Sequence, residues 1–172
     1  MQMTDQKEIA ADPATVYAAL LDPAVLKACV PGASDVSGDP EGGYTATVTQ
    51  KVGPVKATFK GQVTMSDLVP GEKLTITGEG KGGAAGFAKG GASVTLEASE
   101  GGTLLSYDVE AKVGGKLAQL GSRLIDGFAK KMADQFFVNL QTHLAPAEEG
   151  SEEETEAEGK KKGWLGKITG RG

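Results

Sequence analysis

The chain has 172 residues, 39% of them hydrophobic, and its formal net charge of −5 divides into −3 over residues 1–145 and −2 over residues 146–172. That length holds one domain with a sizeable core and excludes disorder over most of the chain. The weakly negative balance leaves neither part with the broad basic surface that a phosphate backbone needs, so nucleic acid is not an expected partner. Cys29 is the only cysteine, which excludes an intramolecular disulfide, and the opening run MQMTDQKEIAADP puts acids where a secretory signal needs a basic and then an apolar stretch. No apolar run approaches the roughly 20 residues that cross a bilayer. The expectation is a cytoplasmic protein whose contact with a membrane is peripheral.

A short strand is expected at Met3–Ala10, followed by two helix starts of one design. Asp12-Pro13 leads into Val16, Tyr17 and Leu20, and Asp22-Pro23 leads into Val25, Leu26 and Cys29. In each, the aspartate caps and the proline takes the first helical position, where its missing N–H costs nothing. Pro31-Gly32 closes the second helix.

From Tyr44 to Val113 the apolar period changes to two. Tyr44, Ala46, Val48 and Gln50 alternate with threonines and Lys51, while Phe59, Val63 and Met65 alternate with Thr58, Lys60, Gln62 and Thr64. Leu74 and Ile76, then Val94 and Leu96, then Leu105, Tyr107, Val109, Ala111 and Val113 continue the pattern. Gly53-Pro54, Pro70-Gly71 and Gly101-Gly102 supply turn chemistry between them. The pattern predicts an antiparallel meander, solvated on one face and in need of a lid on the other.

The lid is the stretch 116–144. Leu117, Leu120, Leu124, Phe128, Met132, Phe136 and Leu140 recur at helical spacing, with Ile125, Ala129 and Ala133 beside them, so one continuous amphipathic helix is expected over 116–144. Gly121 falls on its apolar face, where a helix-interior glycine costs roughly 1 kcal/mol against alanine. On the facing sheet the inward positions are small as well: Ala46, Gly61, Gly78, Gly80, Ala88, Gly90, Ala92 and Ala111. Interiors pack to a density of about 0.74, so small residues on both sides mean either very close approach, with glycines bending the sheet, or an internal cavity. The large side chains that remain are aliphatic, aromatic or Met, which favours a cavity for a lipophilic guest. Its expected lining is Phe59, Val63, Met65, Leu74, Ile76, Ala92, Val94, Tyr107, Gly121, Leu124, Ile125, Phe128 and Met132. Gly121→Leu or Ala92→Phe is then expected to fill it.

Catalytic groupings are scarce. Gly78, Gly80 and Gly83 match G-x-G-x-x-G, but the next segment reads as a strand rather than as a helix that could receive a pyrophosphate. His143 is the only histidine and Cys29 has no histidine near it in sequence, so neither a triad nor a common zinc site of soft ligands can be assembled. Glu79, Glu97, Asp108 and Glu110 fall on the outward side of their strands. No catalytic or metal-binding residue is therefore expected.

The runs CVPG (29–32), VGPVKATFKGQV (52–63), GEGKGGAAGFAKGGASV (78–94) and VGGKLAQLGSRLIDGFAKKMADQFF (113–137) resemble the CoxG family of carbon monoxide dehydrogenase accessory proteins. That family belongs to the helix-grip superfamily of START and polyketide-cyclase-like (SRPBCC) proteins, and the resemblance covers residues 1–145. It implies an α+β fold in which a curved antiparallel sheet grips a long C-terminal helix, with two short N-terminal helices and an internal apolar cavity. It further implies a non-catalytic accessory of a molybdenum-containing carbon monoxide dehydrogenase or related hydroxylase, linking that enzyme to the membrane and to a respiratory quinone. No covalent cofactor is implied, and the bound molecule would be menaquinone or ubiquinone. A small cyclase- or hydrolase-type enzyme using the same cavity is the other reading.

Beyond residue 145 the composition changes. Residues 146–159 read as an acidic linker, with seven glutamates among residues 148–158. Residues 160–172 then reverse the sign: Lys160, Lys161, Lys162 and Lys167 surround Trp164, Leu165 and Ile168. Bases around an aromatic and aliphatic cluster suit an anionic membrane surface, against the alternatives of an inert tail or one folded back on its linker.

Overall fold

The structure, a computed structural model, describes residues 1–145. The acidic linker and the basic tail expected at 146–172 lie outside the described residues. The chain divides into two compact units, Met1–Asn139 and Leu140–Gly172. Of the second, residues 140–145 complete the last helix, and the N–H of Ala145 donates to the Gln141 carbonyl at 2.9 Å. The first unit holds the sheet, two short helices and the last helix up to Asn139.

Seven strands form one antiparallel sheet: β1 (Gln2–Ile9), β2 (Ala33–Asp39), β3 (Gly43–Val52), β4 (Val55–Val69), β5 (Lys73–Lys81), β6 (Phe87–Ser99) and β7 (Gly102–Gly114). Their order is β1-β7-β6-β5-β4-β3-β2, so the meander is flanked by the first strand on one edge and by β2 on the other. Helices α1 (Pro13–Leu21) and α2 (Pro23–Cys29) connect β1 to β2, and α3 spans Ser122–Leu144. This is the α+β helix-grip architecture.

The two Asp-Pro starts differ in detail. Asp22 accepts a hydrogen bond from the Ala24 N–H at 2.9 Å, which makes it a working cap. Asp12 instead engages the Thr15 hydroxyl and leaves the backbone uncapped. Strand β2 is not announced by the sequence pattern. Val36 is its one large apolar side chain, and a bulge between Ala33 and Asp35 interrupts its pairing, which suits an edge strand.

The expected helix over 116–144 is broken. Residues Gly115–Leu120 form a 3-10 segment, Gly121 closes it with φ +91°, and α3 begins only at Ser122. Glycine reaches that φ without the clash a Cβ would bring, so Gly121 is a hinge between two helical pieces.

Register sorts the small inward residues into two groups. A Cβ at Gly90 would sit 2.1 Å from the Glu110 carbonyl oxygen, and one at Gly61 would sit 3.3 Å from the Glu79 carbonyl oxygen. At these positions glycine permits close approach of strands and hence curvature. Ala46, Gly80, Ala88, Ala92 and Ala111 instead border empty space. Both readings of the small residues hold, at different positions.

Dense packing is concentrated at two ends. At one, Ile9, Val16, Cys29, Leu105 and Thr103 are completely buried, and the Thr103 hydroxyl donates to the Ala11 carbonyl at 2.6 Å. At the other, Val52, Leu117 and Ile125 form a cluster with Phe59, Val113, Leu120 and Phe128 around it. Replacing Ile9 by alanine should therefore cost about 2–5 kcal/mol in chemical denaturation, the usual result of opening a cavity in a filled core. A loss below about 1 kcal/mol would show that this end is loosely packed.

Candidate ligand-binding cavity

Between the sheet and α3 lie two apolar chambers. The first, about 310 Å³, is walled by Val63, Met65, Ile76, Ala92, Val94 and Tyr107 of the sheet, Leu20 of α1, Leu26 of α2, and Ala133, Phe136 and Phe137 of α3. The second, about 260 Å³, is walled by Val52, Phe59, Gly80, Ala88, Ala111 and Val113 of the sheet, Leu117, and Ile125, Phe128 and Ala129 of α3. Val48 borders both, and Ala129 and Ala133 stand one turn apart, so the chambers are neighbours along the helix. Neither wall contains an ionisable acid or base other than the phenols of Tyr44 and Tyr107, and Gln50 is the one amide present. A larger hollow of about 920 Å³ opens on the opposite face of the sheet, where Glu79, Lys89, Glu110 and Lys112 border a groove open to solvent.

Nine of the thirteen residues expected to line a cavity border one of the chambers. Val63, Met65, Ile76, Ala92, Val94 and Tyr107 meet at the first, while Phe59, Ile125 and Phe128 meet at the second. Four do not border either. Leu74 faces inward but is packed solid at 1% exposure. Gly121 has nothing within 4 Å of where its Cβ would be, because the hinge holds it away from the sheet. Leu124 is 40% exposed and leans on the Gly53 turn. Met132 is half-buried, on the flank of α3 rather than over the hollow. Leu20, Leu26, Val30 and Val36 are additional wall residues, and the apolar faces of the two short helices were the only sequence signal for them.

The polar groups near the chambers are tied to structure. The Tyr44 hydroxyl donates to the Leu21 carbonyl at 2.5 Å, fixing the end of α1 over the sheet. Asn139 donates through Nδ2 to the Cys29 carbonyl at 2.9 Å, joining α3 to α2. Tyr107 stacks on Phe137 with ring centroids 5.4 Å apart, and burial pushes its phenol upward. The Cys29 thiol is completely buried, and desolvation raises its pKa, which disfavours the thiolate that a nucleophile requires. His143, in the second unit, is exposed.

On the β1 side α3 is held by charge. Alternation brings Asp5 and Lys7 to the inward face of β1, opposite Tyr107 and Leu105. Lys7 Nζ lies 2.8 Å from Asp134 Oδ1, and Lys130 lies 3.1 Å from the other carboxylate oxygen. The Lys7 hydrogen bond, followed by that of Lys130, draws the Asp134 carboxyl below its ordinary value, and the same bond to Asp134 raises Lys7. The depressed Asp134 contributes stability that is complete above about pH 4 and is lost as the pH falls through its folded value. The raised Lys7 contributes stability that is complete below about pH 10 and is lost above it.

Two measurements test this geometry. Asp134→Asn should melt below wild type at neutral pH, with the gap closing in acid as wild-type Asp134 takes up its proton; a gap that persists at pH 2 would mean the bridge is not the cause. Ala92→Phe should fill the first chamber and leave the melting temperature within a few degrees of wild type, whereas overpacking a dense site costs about 1–3 kcal/mol. Gly121→Leu, expected from sequence to fill the cavity, should instead destabilise by straining the hinge.

Several solved structures share the fold. A conserved protein from Geobacillus kaustophilus is 26% identical with a TM-score of 0.79, the match covering 86% of this chain and 97% of that one. A protein from Chromobacterium violaceum is 22% identical with a TM-score of 0.62 over 85% of this chain and 99% of that one, and one from Mycobacterium smegmatis is 17% identical with a TM-score of 0.62 over 84% and 91%. The latter two show the fold alone. No curated protein matches the chain significantly. The family model for CoxG, described as a subunit of carbon monoxide dehydrogenase, matches residues 6–145, which carry the whole sheet, both chambers and α3, and the chain therefore belongs to the CoxG family.

Proposed function

We propose that this protein is a non-catalytic accessory that holds a lipophilic molecule, a respiratory quinone such as menaquinone or ubiquinone, and links a molybdenum-containing carbon monoxide dehydrogenase or related hydroxylase to the membrane electron-transport chain. The observation that carries this reading is the composition of the two chambers. Their walls are almost wholly apolar, and they stand in line along α3, which suits a guest with an extended hydrocarbon part. Family membership supplies the association with carbon monoxide dehydrogenase.

A cyclase-type enzyme in the same cavity would need an acid or base directed at its substrate. The lining offers only tyrosines whose phenols burial pushes upward, and that of Tyr44 is committed to the Leu21 carbonyl. Among the described residues no group of three or more His, Cys, Asp or Glu is placed to hold a metal ion, and no helix is long and apolar enough to cross a membrane. Peripheral contact through the basic segment at 160–172 belongs to the same proposal.

Titration of the full chain with a short-chain ubiquinone and a short-chain menaquinone, read by co-elution in gel filtration, tests the reading. Wild type should retain one or both in a one-to-one complex. Ala92→Phe and Ala46→Phe should weaken retention by at least about tenfold, since each places a ring inside the first chamber. Failure of wild type to retain any quinone, or unchanged retention by both filled variants, would overturn it.

A further inference from the structure

The domain is acidic overall, yet its charges are not mixed evenly. The meander gathers at one end the β3–β4 turn, the β5–β6 connection and the end of β7. On the outward face there, three pairs of lysines stand directly opposite each other across neighbouring strands: Lys51 with Lys56, Lys60 with Lys81, and Lys89 with Lys112. All six are exposed, and none is in an ion pair among the described residues. The nearest acids are Glu79, which pairs with Lys89 in register, and Glu110. At the other end the turns carry Asp39 and Glu41, Glu72, and Glu97 and Glu100.

Like charges directly opposite each other destabilise a sheet. Three such pairs in one patch therefore oppose folding, and a partner of opposite charge relieves them. Phe87 sits in the same cross-strand row as Lys60 and Lys81, is 40% exposed and rests over Gly114. Leu124, also 40% exposed, projects beside the Gly53 turn at the same end. The second chamber lies at this end too, walled there by Val52, Val113 and Leu117.

We propose that this lysine-paired end of the sheet is the surface on which the folded domain docks to an anionic lipid bilayer, with Phe87 and Leu124 entering the interface between the headgroups. Bases attract the negative surface and apolar side chains among them gain by insertion, a combination that a nucleic-acid backbone does not reward at Leu124. The purpose of such docking rests on the reading of the chambers as a lipid site, because it brings the second chamber to the lipid surface. The docking itself can be measured without any guest.

The test compares the full chain with a variant that removes one lysine from each pair, Lys56→Gln/Lys81→Gln/Lys89→Gln, using quinone-free vesicles of phosphatidylcholine with and without phosphatidylserine. The 160–172 segment is the same in both proteins, so any difference reports on the folded domain. The variant should melt at or above the wild-type temperature, since repulsion is relieved. Its affinity for the anionic vesicles should fall by at least about tenfold at low salt, with a shallower dependence on ionic strength. Phe87→Ser should also weaken binding, and it should do so at high salt as well. Equal vesicle affinity of wild type and the triple variant would overturn the proposal. So would a variant that loses affinity for duplex DNA while keeping it for vesicles. Quinone retention, measured separately on the same variant, should be unchanged, so failure of the docking proposal and failure of the cavity reading give different results.

Discussion

The height at which α3 stands above the sheet governs the interior of this protein. That height is set at the two ends and along one flank. Tyr107 and Phe137 stack near one end, with Asn139 fastened to the Cys29 carbonyl. At the other end Ile125 packs with Val52 and Leu117, backed by Phe59 and Phe128. On the β1 flank, Lys7 and Asp134 make the connection. Between these supports the helix offers Ala129 and Ala133 while the sheet offers Ala46, Ala88, Ala92 and Ala111, side chains too short to meet. The hollow is thus a consequence of large residues at the supports and small ones between them.

Such a hollow has an energetic cost, because a void forfeits the dispersion contacts that a filled interior provides. The filled ends, with Ile9, Val16 and Leu105 completely buried, offset that cost locally and leave the middle free to accept a guest. A guest that fills the chambers adds its binding energy to the folded state, so occupancy and stability are linked.

Much of this is legible in the sequence, for identifiable reasons. Half-buried strands declare themselves by alternation, and a period of two also assigns faces, so Ala46, Ala88, Ala92 and Ala111 can be placed opposite the helix from the pattern alone. What alternation cannot do is separate a glycine that bends the sheet, such as Gly90, from an alanine that borders a void, such as Ala92. That distinction depends on which backbone carbonyl lies opposite. Strand β2 escapes the pattern because an edge strand with Val36 as its only large apolar side chain carries almost no periodicity. The break at Gly121 is hidden because Leu117 and Leu120, three apart, fit a 3-10 turn as well as an α-helix. Leu124 and Met132 enter the expected lining through a stripe wider than the face that meets the hollow. Net charge also conceals the basic end, since Lys51, Lys81 and Lys112 are far apart in sequence and come together only through the meander.

The central claim is that the space under α3 is a binding chamber and not merely a packing defect. Native mass spectrometry of the protein as purified from a host that makes isoprenoid quinones tests it most directly, by comparing wild type with Ala92→Phe. The account predicts that wild type carries an added mass equal to one lipophilic molecule, released by solvent extraction and absent from the filled variant. A bare wild-type mass that stays bare after incubation with host lipid extract would contradict it.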